Sequence, residues 1–446
     1  MNEDITKETV TLLQELIRNS CVNPPGNEMR NIKTIEKFLK DKGISCKIFE
    51  STENRGNLIA RIKGTGEKPS IMFGPSHVDV VPVDNEEDWS VGPFSGEIKD
   101  EIVWGRGAMD MLFLVAAQTQ AFVLLVKEGF KPKGDITLCI VCDEEVGGMA
   151  GTEWMIKNHP EEMKVDYSLG EHGGLYVSDN RIAIIFAEKG GAWLKLSFKG
   201  TPGHGSMPFA SDNAVVKAAE ASIRLSNYKT PRTTKYLKNV TKAMGTKFFQ
   251  RLLVTNKVLL PRILKGMAKN EPGIAKTIDG LTRMTISPNR IIGGIKVNSI
   301  PSSASIDIDV RTLPGQDFEY ITKHIKKALG KKLASQVKIE FLSKEEGNPS
   351  FGNSSDEDSE LVEAMKNVYK KFDPDSSIYT ILYPAITDLR FMRGIGANAY
   401  GFGLFNPDVS MTNILSRAHG TDECIDIKTI GLTIQAHYEL AKEFLG

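Results

Sequence analysis

Apolar positions along the first part of the chain alternate between two rhythms. Ile5, Val10, Leu13 and Ile17 fall at helical spacing, as do Ile32, Ile35 and Leu39 in the next segment. Short apolar runs follow: NLIARI, SIMFGPSHVDVV and, after the helix-like FLVAAQTQAFVLLVKEGF, DITLCIVC. Strands alternating with helices of this length predict an α/β fold, a mostly parallel sheet flanked by helices. In such sheets ligands sit at the carboxyl ends of strands.

Near Ala187 the texture changes. GAWLKLSFKG and SASIDIDVRTLPG alternate apolar and polar residues, which suits an antiparallel sheet with one solvated face. Helical patterns (DNAVVKAAEASIRL and DFEYITKHIKKALGKKL) lie beside them, and the α/β pattern resumes from SELVEAMKNVYKKF. The expected organisation is a catalytic domain in two parts, residues 1–186 and 343–446. A smaller α+β lid or dimerisation domain, residues 187–342, is inserted between them.

Composition narrows the classes. The 446 residues exceed what one hydrophobic core organises, and 41% are apolar. Lys+Arg and Asp+Glu both number 56, so the overall charge gives no reason to expect nucleic acid as partner. The polar, acidic start MNEDITKETV lacks the features of a signal peptide, and no uninterrupted run of eighteen apolar residues suggests a membrane span. Five scattered cysteines suit a reducing cytoplasm better than a disulfide framework.

The candidate chemistry sits at the ends of the apolar runs. Ser76-His77-Val78-Asp79 closes one; residues two apart on a strand share a side, so Asp79 can reach the His77 imidazole and fix its tautomer. Gly105-Arg106-Gly107-Ala108-Met109-Asp110 presents a carboxylate from a glycine-rich turn. Asp143-Glu144-Glu145 follows DITLCIVC, Glu171 lies in Leu169-Gly170-Glu171-His172-Gly173-Gly174, and His419 in Ala418-His419-Gly420-Thr421-Asp422-Glu423. Taken singly, each has a bland reading: an acidic residue in a glycine-rich turn is ordinarily solvated, and adjacent glutamates are ordinarily surface charge. Their combined order carries the signal.

That order resembles the aminoacylase/carboxypeptidase/acetylornithine deacetylase superfamily of co-catalytic zinc hydrolases. The matching stretches are SHVDVVPV, PFSGEI, VWGRGAMDM, CDEEVGG, GEHGG, GTPGHGSMP, VNSIP, VRTLPG and HGTDE, spanning roughly residues 70 to 430. The resemblance implies two divalent metal ions, zinc first, with cobalt or manganese as alternatives. His77 and Glu171 would hold one, Glu145 and His419 the other, and Asp110 would bridge both. Asp79 would back His77, Glu144 would act as general base and acid, and the peptide after Asp110 would be cis. His204 would stabilise the oxyanion, often from the partner subunit, while Asn298 and Arg311 would hold substrate. Without the resemblance, Asn298 reads equally well as a turn residue and Arg311 as a solvent-facing charge on a strand.

Ion arithmetic agrees with this assignment. Two divalent ions carry four positive charges, of which Asp110, Glu145 and Glu171 would cancel three, leaving net positive charge to acidify a water and polarise a carbonyl. The implied reaction is hydrolysis of an amide bond in an N-acyl amino acid or short peptide with a free carboxylate. Leu112 stands where relatives commonly have lysine, and the proline typical of deacetylases and desuccinylases is missing after Glu171; GEHGG and AEKGG resemble the aminoacylase and carboxypeptidase branches more than an acetylornithine deacetylase or succinyl-diaminopimelate desuccinylase. A catalytically silent metal- or peptide-binding protein is the rival from another class, but such a protein has no need of Glu144. The expected assembly is a homodimer through the inserted domain, with a monomer as the alternative.

Other features read as structural. Cys139 and Cys142 face opposite sides of a strand and so do not converge. His159, His324 and His437 read as surface or helix-end histidines, and His172, next to Glu171, as an outward-facing turn residue, with a place lining the site as its alternative. Between Ala221 and Asn270 there are twelve Lys/Arg and no Asp/Glu, interleaved with Tyr236, Phe248, Phe249, Leu252 and Leu259. The favoured reading is an enlarged helical part of the lid with a solvated basic face. A membrane- or nucleic-acid-binding surface is the alternative.

Overall fold

The computed structural model describes residues 3–342, 349–409, 414 and 416–446. Its larger sheet is mixed. Four central strands, Ile136–Val141, Ile71–His77, Tyr167–Gly170 and Asn398–Gly401, run parallel to their neighbours in that order. Antiparallel pairings extend it outward, to Arg55–Ile62 and Lys47–Thr52 on one side and to Arg181–Glu188 on the other. The near-continuous apolar runs of the central strands are explained by burial on both faces. Alternate residues divide between two cores: Ile71, Phe73, Leu138 and Ile140 join the main cluster, whereas Met72, Cys139 and Val141 pack with Met155, Met163 and Met392 on the opposite face.

Helices Glu3–Arg18, Phe113–Glu128 and Ile427–Leu445 cover the first face. Among the described residues one stretch, Ala108–Glu128, has the length and apolarity to cross a membrane, but its most apolar window is 83% buried within the fold. Its regular part, Phe113–Glu128, is the central core helix. His437 lies against it and is no helix-end residue: the ring is fully buried between Phe73 and Phe402 and accepts an interaction with Gln118 at 3.2 Å. His324 is buried as well, against Tyr228 and Tyr320. Both depart from the surface placement their helical sequence context suggests, because amphipathic spacing alone does not say which polar residue finds an internal partner.

Burial pushes the His437 imidazolium down to about 4, so the folded state holds this ring neutral while the unfolded chain takes up its proton near pH 6.5. The stability contributed by a neutral ring is therefore lost as pH falls from about 6.5 to about 4, by at most about 3 kcal/mol. Urea titrations of wild type and His437→Gln across that range check this. The variant is expected to lose less stability over the interval than wild type, and equal losses would refute the assignment.

The chain leaves the large sheet at Glu188 and enters a four-stranded antiparallel sheet at Gly190, ordered Thr285–Gly293, Ser303–Thr312, Gly190–Lys199 and Val337–Phe341. A Cβ on Gly190 would sit 2.1 Å from the Ser350 carbonyl oxygen, so the strand-to-strand passage requires glycine there. This sheet has its own core, in which Leu194, Leu196, Ile306 and Ile308 meet Ala218, Leu225, Ile321 and Ile325 from helices Ala214–Asn227 and Phe318–Ala334. From Leu237 onward the chain leaves that core. Leu237, Leu260, Leu264, Ile278 and Leu281, from helices between Leu237 and Thr282, pack into the main cluster of the large sheet instead. The helical enlargement is thus a buttress on the large sheet, anchored by Asn239 Nδ2, which donates to the Thr380 carbonyl at 3.1 Å.

Candidate metal centre

Three neighbouring parallel strands end in the candidate residues. Ile71–His77 delivers His77 itself, Ile136–Val141 leads into Glu144 and Glu145, and Tyr167–Gly170 leads into Glu171. Side chains distant in sequence therefore converge where parallel strands leave their carboxyl ends unpaired. Asp110 arrives from the turn that precedes the core helix, and the Asp110–Met111 peptide is cis. His419 arrives from the far end of the chain.

Asp110 is the hub. Its Oδ1 lies 3.4 Å from His77 Nε2, and its Oδ2 lies 3.3 Å from His419 Nε2. Glu171 Oε2 stands 3.9 Å from His77 Nε2, and Glu145 Oε2 stands 3.2 Å from His419 Nε2. Donor atoms of His77, Asp110 and Glu145 fall within 4.8 Å of one another, as do those of Asp110, Glu171 and His172.

The His77 ring is oriented for ligation. Its Nδ1 faces the main-chain oxygen of Asp79 at 3.0 Å, nearer than the Asp79 carboxylate at 3.5 Å. Donation to that carbonyl places the proton on Nδ1 and leaves Nε2 as a lone pair, buried without a hydrogen-bond partner and directed between Asp110 and Glu171. An orphaned imidazole nitrogen facing two carboxylates is a donor set that fits a divalent cation.

The Asp79 carboxylate does more than back a histidine. Its Oδ1 accepts from the Glu144 amide at 3.2 Å, and its Oδ2 accepts from the Glu145 amide at 3.1 Å and from Asn23 at 2.8 Å. Burial works against its ionisation, but His77, Asn23 and the Glu145 amide together hold it below the usual carboxylate range. Asp79 thus ties the His77 strand end to the Glu144–Glu145 turn. Burial and the Glu171 carboxylate push Glu144 well above its ordinary value, the direction expected of a proton-carrying group.

Two further residues belong to the centre. His172 does not face outward: its Nε2 lies 3.0 Å from Glu171 Oε2, and its ring stacks on Tyr383 with centroids 4.4 Å apart. A backbone φ of +67° turns it inward. A Cβ on the following Gly173 would meet the Gly401 carbonyl oxygen at 1.9 Å, which explains the paired glycines of GEHGG. Glu423, fully buried, accepts from the Met109 and Asp110 amides at 2.9 and 3.0 Å and from Arg106 at 2.8 Å. Arg106 also donates to the Gly420 carbonyl at 3.1 Å, so this pair joins the Asp110 turn to the His419 loop. Sequence offered one clue to it: Glu423 and Arg106 stand inside the HGTDE and GRGAMD stretches.

His204, Asn298 and Arg311 lie apart from this cluster. Gly203–His204 pairs antiparallel with Ser299–Ile300, and the Gly205 amide donates to the Asn298 carbonyl at 2.8 Å. His204 and Asn298 thereby share one exposed ribbon, with His204 Nδ1 2.7 Å from Ser206 Oγ. Arg311 lies on Ser303–Thr312 with its guanidinium paired to Asp309 through Nε at 2.8 Å and Nη2 at 3.1 Å.

Comparison with known proteins places the chain in a family. The chain is 28% identical over 401 residues to a probable carboxypeptidase S-like 2 of Dictyostelium discoideum, covering 86% of this chain and 74% of that protein. It is 27% identical to aminoacylase-1 of Sus scrofa (89% of this chain, 87% of that one). It is 24% identical to a probable succinyl-diaminopimelate desuccinylase of Staphylococcus aureus, covering 98% of each. Its fold matches that of an M20 family metallo-carboxypeptidase from Sulfolobus solfataricus with TM-score 0.68 at 20% identity, covering 98% of this chain and 99% of that one. Residues 75–443 match Peptidase family M20/M25/M40, and the chain belongs to that family of metal-dependent hydrolases.

Proposed function

We propose that this enzyme hydrolyses the amide bond of N-acyl amino acids or short peptides that carry a free carboxylate, with two metal ions held by His77, Asp110, Glu145, Glu171 and His419. The observation that carries this reading is the two-sided Asp110 carboxylate, with His77 at one oxygen and His419 at the other, Glu171 standing beside the His77 ring and Glu145 beside the His419 ring. Nitrogen and carboxylate donors without thiolate suit zinc, and also cobalt or manganese. The ions would supply Lewis acidity that acidifies a water and polarises the scissile carbonyl.

The chain's own residues do the rest. Glu144, on the turn that Asp79 holds, accepts the water's proton and returns it to the leaving amine. His204 donates to the oxyanion, and Asn298 and Arg311 hold the substrate; Arg311 keeps Nη1 outside its pair with Asp309 for a carboxylate. Aminoacylase and carboxypeptidase relatives favour the N-acyl amino acid and peptide reading, and the desuccinylase relative supports a succinyl-amide reading of the same site. A hydrolysis panel of N-acetyl amino acids, dipeptides and N-succinyl diamines, run with metal-stripped and zinc-reloaded enzyme, tests it. Turnover of the first two classes that returns with zinc is the expected result; inactivity on all three would overturn it.

The exposed ribbon of His204 and Asn298 supports a homodimer in which His204 serves the partner's metal centre. Met207, Phe209, Ile295 and Val297 stand exposed beside it, an apolar rim of the kind subunits cover. His204→Ala is expected to lower kcat about 100-fold, the usual loss for one oxyanion donor. Mixing and reassembling His204→Ala with Glu144→Ala should restore about a quarter of wild-type activity, because half the dimers gain one complete site. Recovery no greater than the sum of the two variants would place His204 in its own subunit's site.

A further inference from the structure

Helix Phe248–Val254 buries none of its residues, although four of its seven are Phe or Leu. Phe248 is 59% exposed, Phe249 78%, Leu252 54% and Leu253 50%, and Val258 just beyond is 76% exposed. Helices on both sides are fixed to the large sheet: Leu237 before it, and Leu260 and Leu264 after it, are buried in the main core. The apolar face therefore stands between two anchored segments. Its frame is basic, since residues 221–270 hold twelve Lys/Arg and no Asp/Glu. Among the described residues, Lys242, Lys247, Lys257, Arg262, Lys265 and Lys269 pair with no carboxylate. Arg251 lies over the Phe248 ring, 5.6 Å from its centroid, with its charge at the margin of the apolar patch.

We propose that Phe248–Val254 and its basic frame dock this enzyme onto an anionic lipid surface. Phe and Leu side chains projecting from a helix, bordered by unpaired Lys and Arg, match the two layers of a lipid interface: acyl boundary inside, acidic headgroups around it. Charge complementarity selects this occupant. A second copy would bring a like-charged frame against the first, which repels. A nucleic acid would satisfy the cations but leave Leu252, Leu253 and Val258 against phosphate and water. The inference is independent of the substrate assigned above.

Co-sedimentation of the full-length, metal-loaded enzyme with vesicles decides it. At about 0.1 M salt, vesicles with about 30% phosphatidylserine in phosphatidylcholine are expected to bind at least about tenfold more strongly than phosphatidylcholine alone, and about 0.5 M salt should reduce that binding. Phe248→Ser/Phe249→Ser should lower anionic-vesicle binding about tenfold while hydrolysis of a small soluble substrate stays unchanged. Lys247→Glu/Lys257→Glu should do the same through charge. Equal binding to both vesicle types, binding untouched by the serine pair, or tighter binding to a DNA duplex that survives the serine pair would each overturn the proposal.

Discussion

Glu144→Gln is expected to reduce kcat by about 1,000- to 10,000-fold, with both metal ions retained and KM little changed. Glutamine keeps the shape of the side chain but neither accepts a proton from water nor returns one to an amine. The scaffold survives the exchange because Asp79 holds this turn by the main-chain amides of Glu144 and Glu145 and never touches the Glu144 carboxylate. Among the described residues no salt bridge or side-chain hydrogen bond engages that carboxylate either, so its removal strands no buried partner. Metal content by atomic emission and single-turnover kinetics separate the two consequences. A variant with full metal and near wild-type turnover would remove Glu144 from the chemistry. A variant that loses metal would instead make Glu144 part of the cation site.

The same site shows where sequence reading succeeds and where it stops. The convergence of His77, Glu145 and Glu171 is legible because each lies within four residues of the end of an apolar run, and the parallel sheet brings such ends together without further information. The two-core alternation of Ile71, Met72 and Phe73 follows from strand period alone. Features set by long-range pairing were not legible. His172 points inward because of its positive φ and because Tyr383, on a strand formed much later in the chain, offers a face to stack on. Helix Leu237–Ala243 packs on strand Ser377–Tyr383, not on the smaller sheet that surrounds it in sequence, since Leu237, Leu260 and Ile278 complete the larger core. A buttress and a lid enlargement have the same amphipathic spacing; only the identity of the covered face distinguishes them.

Glu423→Ala is expected to destabilise the fold by about 3–5 kcal/mol and to weaken metal binding about 10- to 100-fold, although the carboxylate points at no candidate metal position. The stability loss comes from Arg106, which is almost wholly buried and has Glu423 as its carboxylate partner at 2.8 Å. Removing one member of such a pair leaves a charge in low dielectric with the Gly420 and His419 carbonyls and the face of the Trp89 ring to receive it. The affinity loss has a separate origin. Glu423 Oε1 holds the Met109 and Asp110 amides, and those two contacts set the angle at which Asp110 stands between His77 and His419. The double variant Arg106→Met/Glu423→Leu separates the two effects. It removes both charges and fills the space, so most of the stability should return, while the amides of Met109 and Asp110 remain without an acceptor and metal affinity should stay low. Chemical denaturation of metal-free protein measures the first quantity, and competition with a chelator of known affinity measures the second. If Glu423→Ala binds metal as tightly as wild type, Asp110 is placed by the core helix alone. If the double variant recovers both quantities together, the Arg106–Glu423 pair acts only through stability and has no separate part in aiming Asp110.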